Sequence, residues 1–272
     1  AYLNHKVLGK RLREITMALL EHGAYSAEEI FGDLDAMKVR SCMTLFDIVS
    51  PDDIFDEVLN KFYCGRHCRQ TVVLIYGKID IPDALSYIGV KPEDFNLNDS
   101  MFHRSVKGSI HGIGHVYRVM IGCSLLGQML QKPREGLLAF CGAYIHDLAR
   151  DTDWEEPDHG ENAVRYYFDR FANLWEKYKI TEKEKIFIKD AVAQHSKTEI
   201  LRKGDEGYDV MAILKDADAL DRCRLFDLNP RWLRYPESRY LIKTIEEIYL
   251  LTRVDEEGIE FRSFVKMVND NL

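Results

Sequence analysis

Histidine and aspartate residues recur in a fixed order through the second half of the chain. These two residue types are the usual protein ligands of divalent transition metals. Five of the nine histidines lie between positions 111 and 195, mostly within apolar stretches where an unpaired ionisable group is costly to bury. The candidate residues are His111, His115, His146, Asp147, His159, His195 and Asp218. Their order predicts one metal site that several elements assemble.

The elements that must position these residues are helices, because the apolar residues around them recur at helical spacing. His111 and His115 are four residues apart and therefore share one helical face. Thr181 and Glu184 have the spacing of a capping box, which starts another helix. We predict an all-α fold with helices over about 110–131, 135–150, from 159, 181–195, 210–226 and 237–254.

The adjacent pair His146–Asp147 is the strongest single signal, because it interrupts the apolar run 142–149 and needs compensation that a cation could provide. A single histidine on an apolar face is more often a hydrogen-bonded core residue than a ligand. That alternative holds for His111 and His159 taken alone. The combination with His115 and Asp218 makes an accidental arrangement improbable.

Composition limits the function classes. The chain has 272 residues and a net charge of −8, which argues against a protein dedicated to long nucleic acids. No apolar run reaches the roughly 20 residues that span a bilayer, and no signal segment opens the sequence, so we predict a cytoplasmic protein. The six cysteines are expected to be free thiols. A zinc site at Cys64, His67 and Cys68 lacks a second cysteine pair and is the weaker alternative.

A boundary is predicted near residue 100, because residues 79–100 are rich in turn and cap residues. Residues 1–100 are expected to form a helical region of unknown role, with helices over about 5–21 and 51–62. The run 71–76 fits a helix or a strand. Residues 101–272 would form the domain that carries the metal site.

Three segments carry a family resemblance: His115–Val119, His146–Arg150 and Lys215–Asp221. They resemble the defining segments of the HD-domain superfamily, whose members are mainly metal-dependent phosphohydrolases with an all-α fold. The resemblance covers about residues 101–226. It implies an HD-type helical bundle with an additional N-terminal helical region.

By this resemblance, one metal would be held by His115, His146, Asp147 and Asp218. Asp216 is the competing choice in the last segment, and Asp218 is preferred because it fits the arrangement Ala-Asp-x-Leu. His159 and His195 lie where some members bind a second metal and others line the pocket. We favour one metal, a divalent ion such as Mn, Co, Ni, Fe or Mg, with His159 and His195 in the pocket.

A mechanism follows from the implied site. The ion would lower the pKa of a bound water and attract a phosphoryl oxygen. Asp147 would orient that water, and His195 or His159 would protonate the leaving group. Arg118 and Arg150 are candidates for phosphate binding. Their alternative is a salt bridge to neighbouring acids.

The implied function is hydrolysis of a small phosphorylated substrate, nucleotide-like in the leading hypothesis. One alternative is a phosphodiesterase acting on a cyclic nucleotide or oligonucleotide, and another is a dinuclear-iron oxygenase. A regulatory module is the third, although the intact ligand set argues against it. An oligomer of identical subunits is compatible with the sequence.

Overall fold

In the computed structural model, the described residues are 79–272 with the exceptions of 108, 199 and 254–257. Within these residues the regular structure is entirely helical, which confirms the predicted all-α class. The α-helices are α1 (Ile81–Tyr87), α2 (Ile113–Met129), α3 (Pro133–Ile145), α4 (His159–Tyr167), α5 (Ala172–Lys177), α6 (Glu182–Gln194), α7 (Tyr208–Asp221), α8 (Pro236–Tyr240), α9 (Ile242–Thr252) and α10 (Phe261–Asn271). Short 3-10 helices cover Pro92–Asp94, Asp99–Met101, Phe168–Phe171, Arg222–Leu225 and Pro230–Trp232.

Helices α2, α3 and α7 form the centre of the fold and are buried along most of their length. Glycines allow the close approach. A Cβ on Gly127 of α2 would lie 2.9 Å from Cα of Gly136 in α3, and a Cβ on Gly122 would lie 3.0 Å from Cβ of Ala217 in α7. The backbones that carry the candidate residues are therefore held at fixed distances.

Helix boundaries follow local chemistry. Helix α6 begins with the predicted capping box, in which the Thr181 side chain accepts from Glu184 N and the Glu184 side chain accepts from Thr181 N. Helix α3 ends at Ile145, earlier than predicted, because Leu148 N donates to Ile145 O and Arg150 N to Asp147 O in tight turns. The pair His146–Asp147 therefore lies at a helix end rather than inside a helix.

Helix prediction was wrong at both ends of this region. Helix α1 was missed, although Asp80 caps it and Pro82 lies in its first turn, which is a common helix start. The single helix predicted over 237–254 is divided into α8 and α9 at Leu241, and α10 was not predicted.

Residues 80–272 form one compact unit. Within it, Leu97 N donates to Tyr117 Oη at 2.8 Å, and Phe95 packs edge-on against Phe140. Residues 80–100 thus pack with the helices that follow them. The division at residue 100 and the independence of the N-terminal region stay predictions, and the helices, strand alternative and cysteine site predicted before residue 79 lie outside the described residues.

None of the described helices combines the length and the apolar character needed to cross a membrane.

Candidate metal centre and its cavity

Five helices deliver the predicted residues to one place. His115 lies in the first turn of α2, and His146 and Asp147 lie in the turn after α3. Asp218 lies in the third turn of α7. His159 starts α4, and His195 directly follows α6. Every histidine and aspartate of the predicted series therefore reaches the same region, although its ends, His111 and Asp218, are 107 positions apart in the sequence.

The first donor group contains His115 Nε2, His146 Nε2, Asp147 Oδ2 and Asp218 Oδ1. The Nε2 atoms of His115 and His146 are 3.2 Å apart. His115 Nε2 is 3.4 Å from the oxygens of both Asp147 and Asp218, and His146 Nε2 is 3.7 and 3.9 Å from the same atoms. Two ligands of one ion at about 2.1 Å lie roughly 3–3.5 Å apart, so this group has close to the spacing of ligands around one cation.

The other ring nitrogens fix the tautomers of these histidines. His115 Nδ1 donates to Asp221 Oδ2 at 2.7 Å, and His146 Nδ1 donates to Ala143 O at 2.7 Å. With the proton assigned to Nδ1, the Nε2 of each neutral imidazole has a lone pair directed at the group. Metal-binding histidines are commonly held by such carbonyl or carboxylate acceptors.

The second donor group contains His159 Nε2, His195 Nε2 and the other Asp147 oxygen, Oδ1. The two Nε2 atoms are 2.7 Å apart, and Asp147 Oδ1 lies 3.1 Å from His159 and 3.6 Å from His195. His195 Nδ1 donates to Val192 O, and His159 Nδ1 donates to Glu156 O. Both Nε2 lone pairs therefore point toward each other.

Gly160 allows α4 to approach α6 closely enough to form this histidine pair. A Cβ at position 160 would lie 2.3 Å from Val192 O and 3.0 Å from His195 Nδ1. Any larger residue would push the two helices apart. This requirement was not recognised in the sequence, although Gly160 directly follows His159.

Asp147 is the residue that the two groups share. Burial raises its pKa, but His146 and the hydrogen bonds from His111 and His115 hold the pKa of this carboxyl well below its usual range. Its Oδ1 is buried and lies 3.1 Å from His159 Nε2.

Charge is concentrated around His115. Burial and Arg224 lower its pKa, but hydrogen bonds to Asp147, Asp218 and Asp221 outweigh them and raise the pKa to about 9. His146 lacks such partners, and burial lowers its pKa to about 3. Three carboxylates thus surround one imidazole.

The two aspartates that competed in the sequence have different surroundings. Asp218 is 26% exposed, and it contributes to the donor group. Asp216 is fully buried and accepts from Arg234 N, Tyr235 N and Ser238 Oγ. Its oxygens are therefore directed at the segment before α8 and not at the donor group.

Arg118 does not reach the cavity. It is 2% exposed, donates from Nε to Asp221 Oδ1 at 2.6 Å, and donates from Nη1 to Thr252 Oγ1. Because Asp221 also binds His115, Arg118 holds the residue that orients a candidate ligand. The alternative of a salt bridge describes Arg118 better than the predicted phosphate contact.

Arg150 lies beside the second donor group, as a phosphate-binding residue should. Its Nη1 is 3.1 Å from His159 Nε2, and its Nη2 donates to Trp154 O at 2.8 Å. Arg150 thus connects the histidine pair to the acidic loop 151–158, whose residues Asp153–Pro157 line the cavity.

A cavity of about 910 Å³ opens over both groups. Its size fits a small-molecule site. His111, whose Nδ1 donates to Asp147 Oδ2 at 2.9 Å, lies at its edge. Cavity residues that the sequence analysis missed are Lys197, Lys215, Arg222, Arg224, Trp232 and Arg234. The only sequence signal for them was that several of them follow Asp218 closely along the chain.

Comparison with known families bears on this arrangement. Residues 112–223 match the family model described as HD domain. This part of the chain is an HD domain. The HD domain contains all the donor residues named above except His111, and it suggests a metal-dependent phosphohydrolase. At most it implies a small phosphorylated substrate.

Residues 1–75 match a second model, described as a protein of unknown function, DUF1810. That match gives the N-terminal region a family but no role. No curated protein and no solved structure matches the chain.

The donor residues of the HD domain fit a divalent cation on two observations. The ligand atoms of His115, His146 and Asp218 all lie within 4.8 Å of one another, and the Nε2 of each neutral imidazole has a lone pair directed at the group. Imidazole and carboxylate together suit manganese, iron, cobalt, nickel and zinc alike. The geometry therefore supports a metal without identifying it.

Proposed function

We propose that the chain is a metal-dependent phosphohydrolase that acts on a small phosphorylated, nucleotide-like substrate. The observation that carries the proposal is the first donor group, where the Nε2 atoms of two histidines are 3.2 Å apart and each lies 3.4–3.9 Å from one oxygen of Asp147 and one of Asp218. Its ligands would be His115, His146, Asp147 and Asp218. A divalent cation bound there supplies a water molecule of lowered pKa and a charge that attracts phosphoryl oxygens.

The chain's own residues would bind the phosphoryl group beside this site. Arg150 offers a guanidinium that is already fixed by the Trp154 and Thr152 carbonyls. Lys215 and Arg224 also line the cavity. Fixed donors of this kind stabilise developing negative charge without reorganising during the reaction.

The histidine pair would handle the proton for the leaving group. Because both Nδ1 atoms donate to backbone carbonyls, a third proton can lie only between the two Nε2 atoms, which are 2.7 Å apart. That distance is normal for a shared proton and short for two ligands of one ion. His159 or His195 would release this proton to the departing oxygen, while Asp147 Oδ1 stabilises the charged pair.

One cation per chain is the stoichiometry that we propose. Arg150 Nη1, at 3.1 Å from His159 Nε2, places a fixed positive charge where it would repel a second ion in the second donor group. Metal analysis of the purified protein should give about one equivalent per chain. Two equivalents would contradict this assignment and favour a dinuclear centre.

The test of the function is a screen of small phosphate esters and anhydrides with defined metals. Replacing both His146 and Asp147 with alanine should remove metal binding and reduce turnover to background, while circular dichroism still shows a helical protein. Turnover by the metal-free double variant would refute the proposal.

A dinuclear-iron oxygenase remains the competing function, because the second donor group lies directly beside the first. Hydrolysis should proceed without oxygen when Mn²⁺, Co²⁺ or Mg²⁺ is supplied. Substrate-dependent oxygen consumption by the iron-loaded protein would favour the oxygenase instead.

A further inference from the structure

The cavity contains large aromatic side chains as well as cations. The chain has three tryptophans, and two of them, Trp154 and Trp232, line this cavity. The third, Trp175, is buried in the core. An exposed tryptophan loses apolar contact unless a ligand covers it, so two at one cavity indicate a ligand with an apolar or aromatic portion.

Trp232 belongs to a segment that is fixed to the site. We call residues 229–235 the strap; it contains the 3-10 helix Pro230–Trp232. Asp216 of α7 accepts from Arg234 N at 2.9 Å and from Tyr235 N at 3.0 Å. Since Asp216 is two residues from Asp218, the strap is anchored to the same helix as a candidate metal ligand.

The environment of Trp232 suits a polar aromatic ring. Its side chain is half exposed, and the Arg222 guanidinium lies 5.3 Å from the centroid of its ring. Arg222 pairs with Asp227, but its Nε is shielded from solvent and has no hydrogen-bond partner. A buried donor without a partner beside an exposed ring indicates a ligand that brings an acceptor.

We propose that Trp232 selects phosphate esters whose leaving group carries a nucleobase, which stacks on its indole ring. The inference rests on the proposed function, since it places the phosphate near Asp147 and the base at the strap. A cavity of about 910 Å³ accommodates both parts. The strap lies after residue 223, where the HD family match ends, so this selection belongs to the individual chain and not to the catalytic core.

The test compares two substrates that differ only in the base, adenosine 5′-monophosphate and ribose 5-phosphate. The Trp232→Leu variant keeps apolar volume but lacks a stacking face. It should lose about tenfold or more in kcat/KM for the nucleotide and stay within about twofold for ribose phosphate, because stacking on one base is worth that much. Trp232→Phe should retain most of the preference.

Tyr166→Leu is the matched control. Tyr166 is 49% exposed against 48% for Trp232, but it lies on α4 outside the cavity. This variant should leave both substrates unaffected. Equal losses on both substrates in Trp232→Leu, or no loss on either, would overturn the inference.

A binding measurement separates this inference from the proposed function. In the Trp154→Phe protein, Trp232 is the exposed tryptophan, and adenosine, which has no phosphate, should quench its fluorescence. Quenching in a protein that hydrolyses no phosphate ester would refute the function and retain the stacking site. The opposite result would be nucleotide hydrolysis without quenching by adenosine and without a change in Trp232→Leu. It would refute the stacking site and retain the function.

Discussion

Asp147 shows how one side chain can organise a whole site. Its Oδ2 accepts from His111 and faces His115, whereas its Oδ1 faces His159 and His195. A single carboxylate thus lies between a group spaced for metal binding and a pair spaced for proton sharing. The sequence marked Asp147 as important, but it could not show that the two oxygens have different partners.

Asp216 and Asp218 give a prediction at the residue scale. Loss of a residue that only orients a ligand weakens metal binding by roughly 10- to 100-fold. Asp218→Asn should weaken metal binding by more than that, because it replaces a proposed ligand itself. Its stability without metal should change little. Isothermal titration with Mn²⁺ and urea unfolding of the metal-free protein measure the two effects.

Asp216→Asn is the matched control, since it makes the same change two residues away. It should lower the free energy of unfolding by about 1–3 kcal/mol, because Arg234 and Tyr235 lose a charged acceptor, and it should leave metal affinity nearly unchanged. The opposite pattern, with metal affinity lost only in Asp216→Asn, would show that Asp216 and not Asp218 is the ligand.

At the scale of elements, the position of each helix end decides the site. Helix α3 ends one residue before His146, so that His146 and Asp147 leave the helix in a tight turn and reach the same group. In a continued helix the two side chains would diverge by about 100°. The C-terminal ends of α3 and α6 and the N-terminal ends of α2 and α4 thus converge around the donor atoms.

Gly160 gives the prediction for the contact between α4 and α6. Gly160→Ala should destabilise the protein by about 1–3 kcal/mol, because its Cβ would overlap the Val192 carbonyl and force the helices apart. It should also reduce turnover, since His159 and His195 would separate. Urea unfolding and steady-state kinetics measure both.

Gly142→Ala is the control for that variant. A Cβ at position 142 would meet only side-chain methyl groups, the nearest of them Leu214 Cδ2 at 3.3 Å and Val192 Cγ2 at 3.4 Å, and these can move. We expect a smaller loss of stability and normal turnover. If Gly160→Ala were fully active, the close approach of α4 to α6 would be irrelevant to the chemistry.

The capping box of α6 gives a prediction about pH. Hydrogen bonds from Arg134 lower the pKa of Glu184 to about 2, and the Thr181 bonds act in the same direction. The pKa of Glu184 in the folded protein lies below its unfolded value of about 4.3. The ionised carboxylate therefore stabilises the folded protein fully when the pH is above about 4.3. This stabilisation is lost as the pH falls toward 2.

Glu184→Gln should therefore be less stable than the unchanged protein at pH 7, and the difference should shrink as the pH falls below about 4.5. Urea unfolding at pH 7, 5 and 3.5 measures it. Glu182→Gln is the control, because Glu182 is exposed and pairs only with Lys185. A difference that did not depend on pH would show that the charge of Glu184 is unimportant.

At the scale of the whole molecule, metal binding should couple to folding. The proposed ligands come from α2, α7 and the turn after α3, so the donor group exists only when these elements are packed together. A metal at 100 times its Kd should stabilise the protein by about 2.7 kcal/mol. Thermal unfolding with and without Mn²⁺ or Co²⁺ measures the shift.

The double replacement of His146 and Asp147 by alanine is the control for this coupling. It should show no upward shift of Tm with metal. An equal shift in the double variant would mean that the metal stabilises the protein from another site.

The sequence predicted the all-α class because apolar residues at a spacing of 3.6 record which face of each helix is buried. It predicted the capping box of α6 because cap residues act locally. It missed α10 and the division at Leu241, since short helices depend on contacts with distant elements.

The sequence by itself determined which residues could bind a metal, because an ordered series of imidazoles and carboxylates in apolar surroundings is costly to bury without a cation. It also ordered them as an HD domain. Only the tertiary structure decided that Asp218 joins the donor group while Asp216 anchors the strap, that Arg118 is buried against Asp221, and that Trp232 lines the cavity. The physical reason is that the sequence specifies the type of each side chain directly. The direction of each side chain depends on where the helices end and on how closely the helix backbones approach one another.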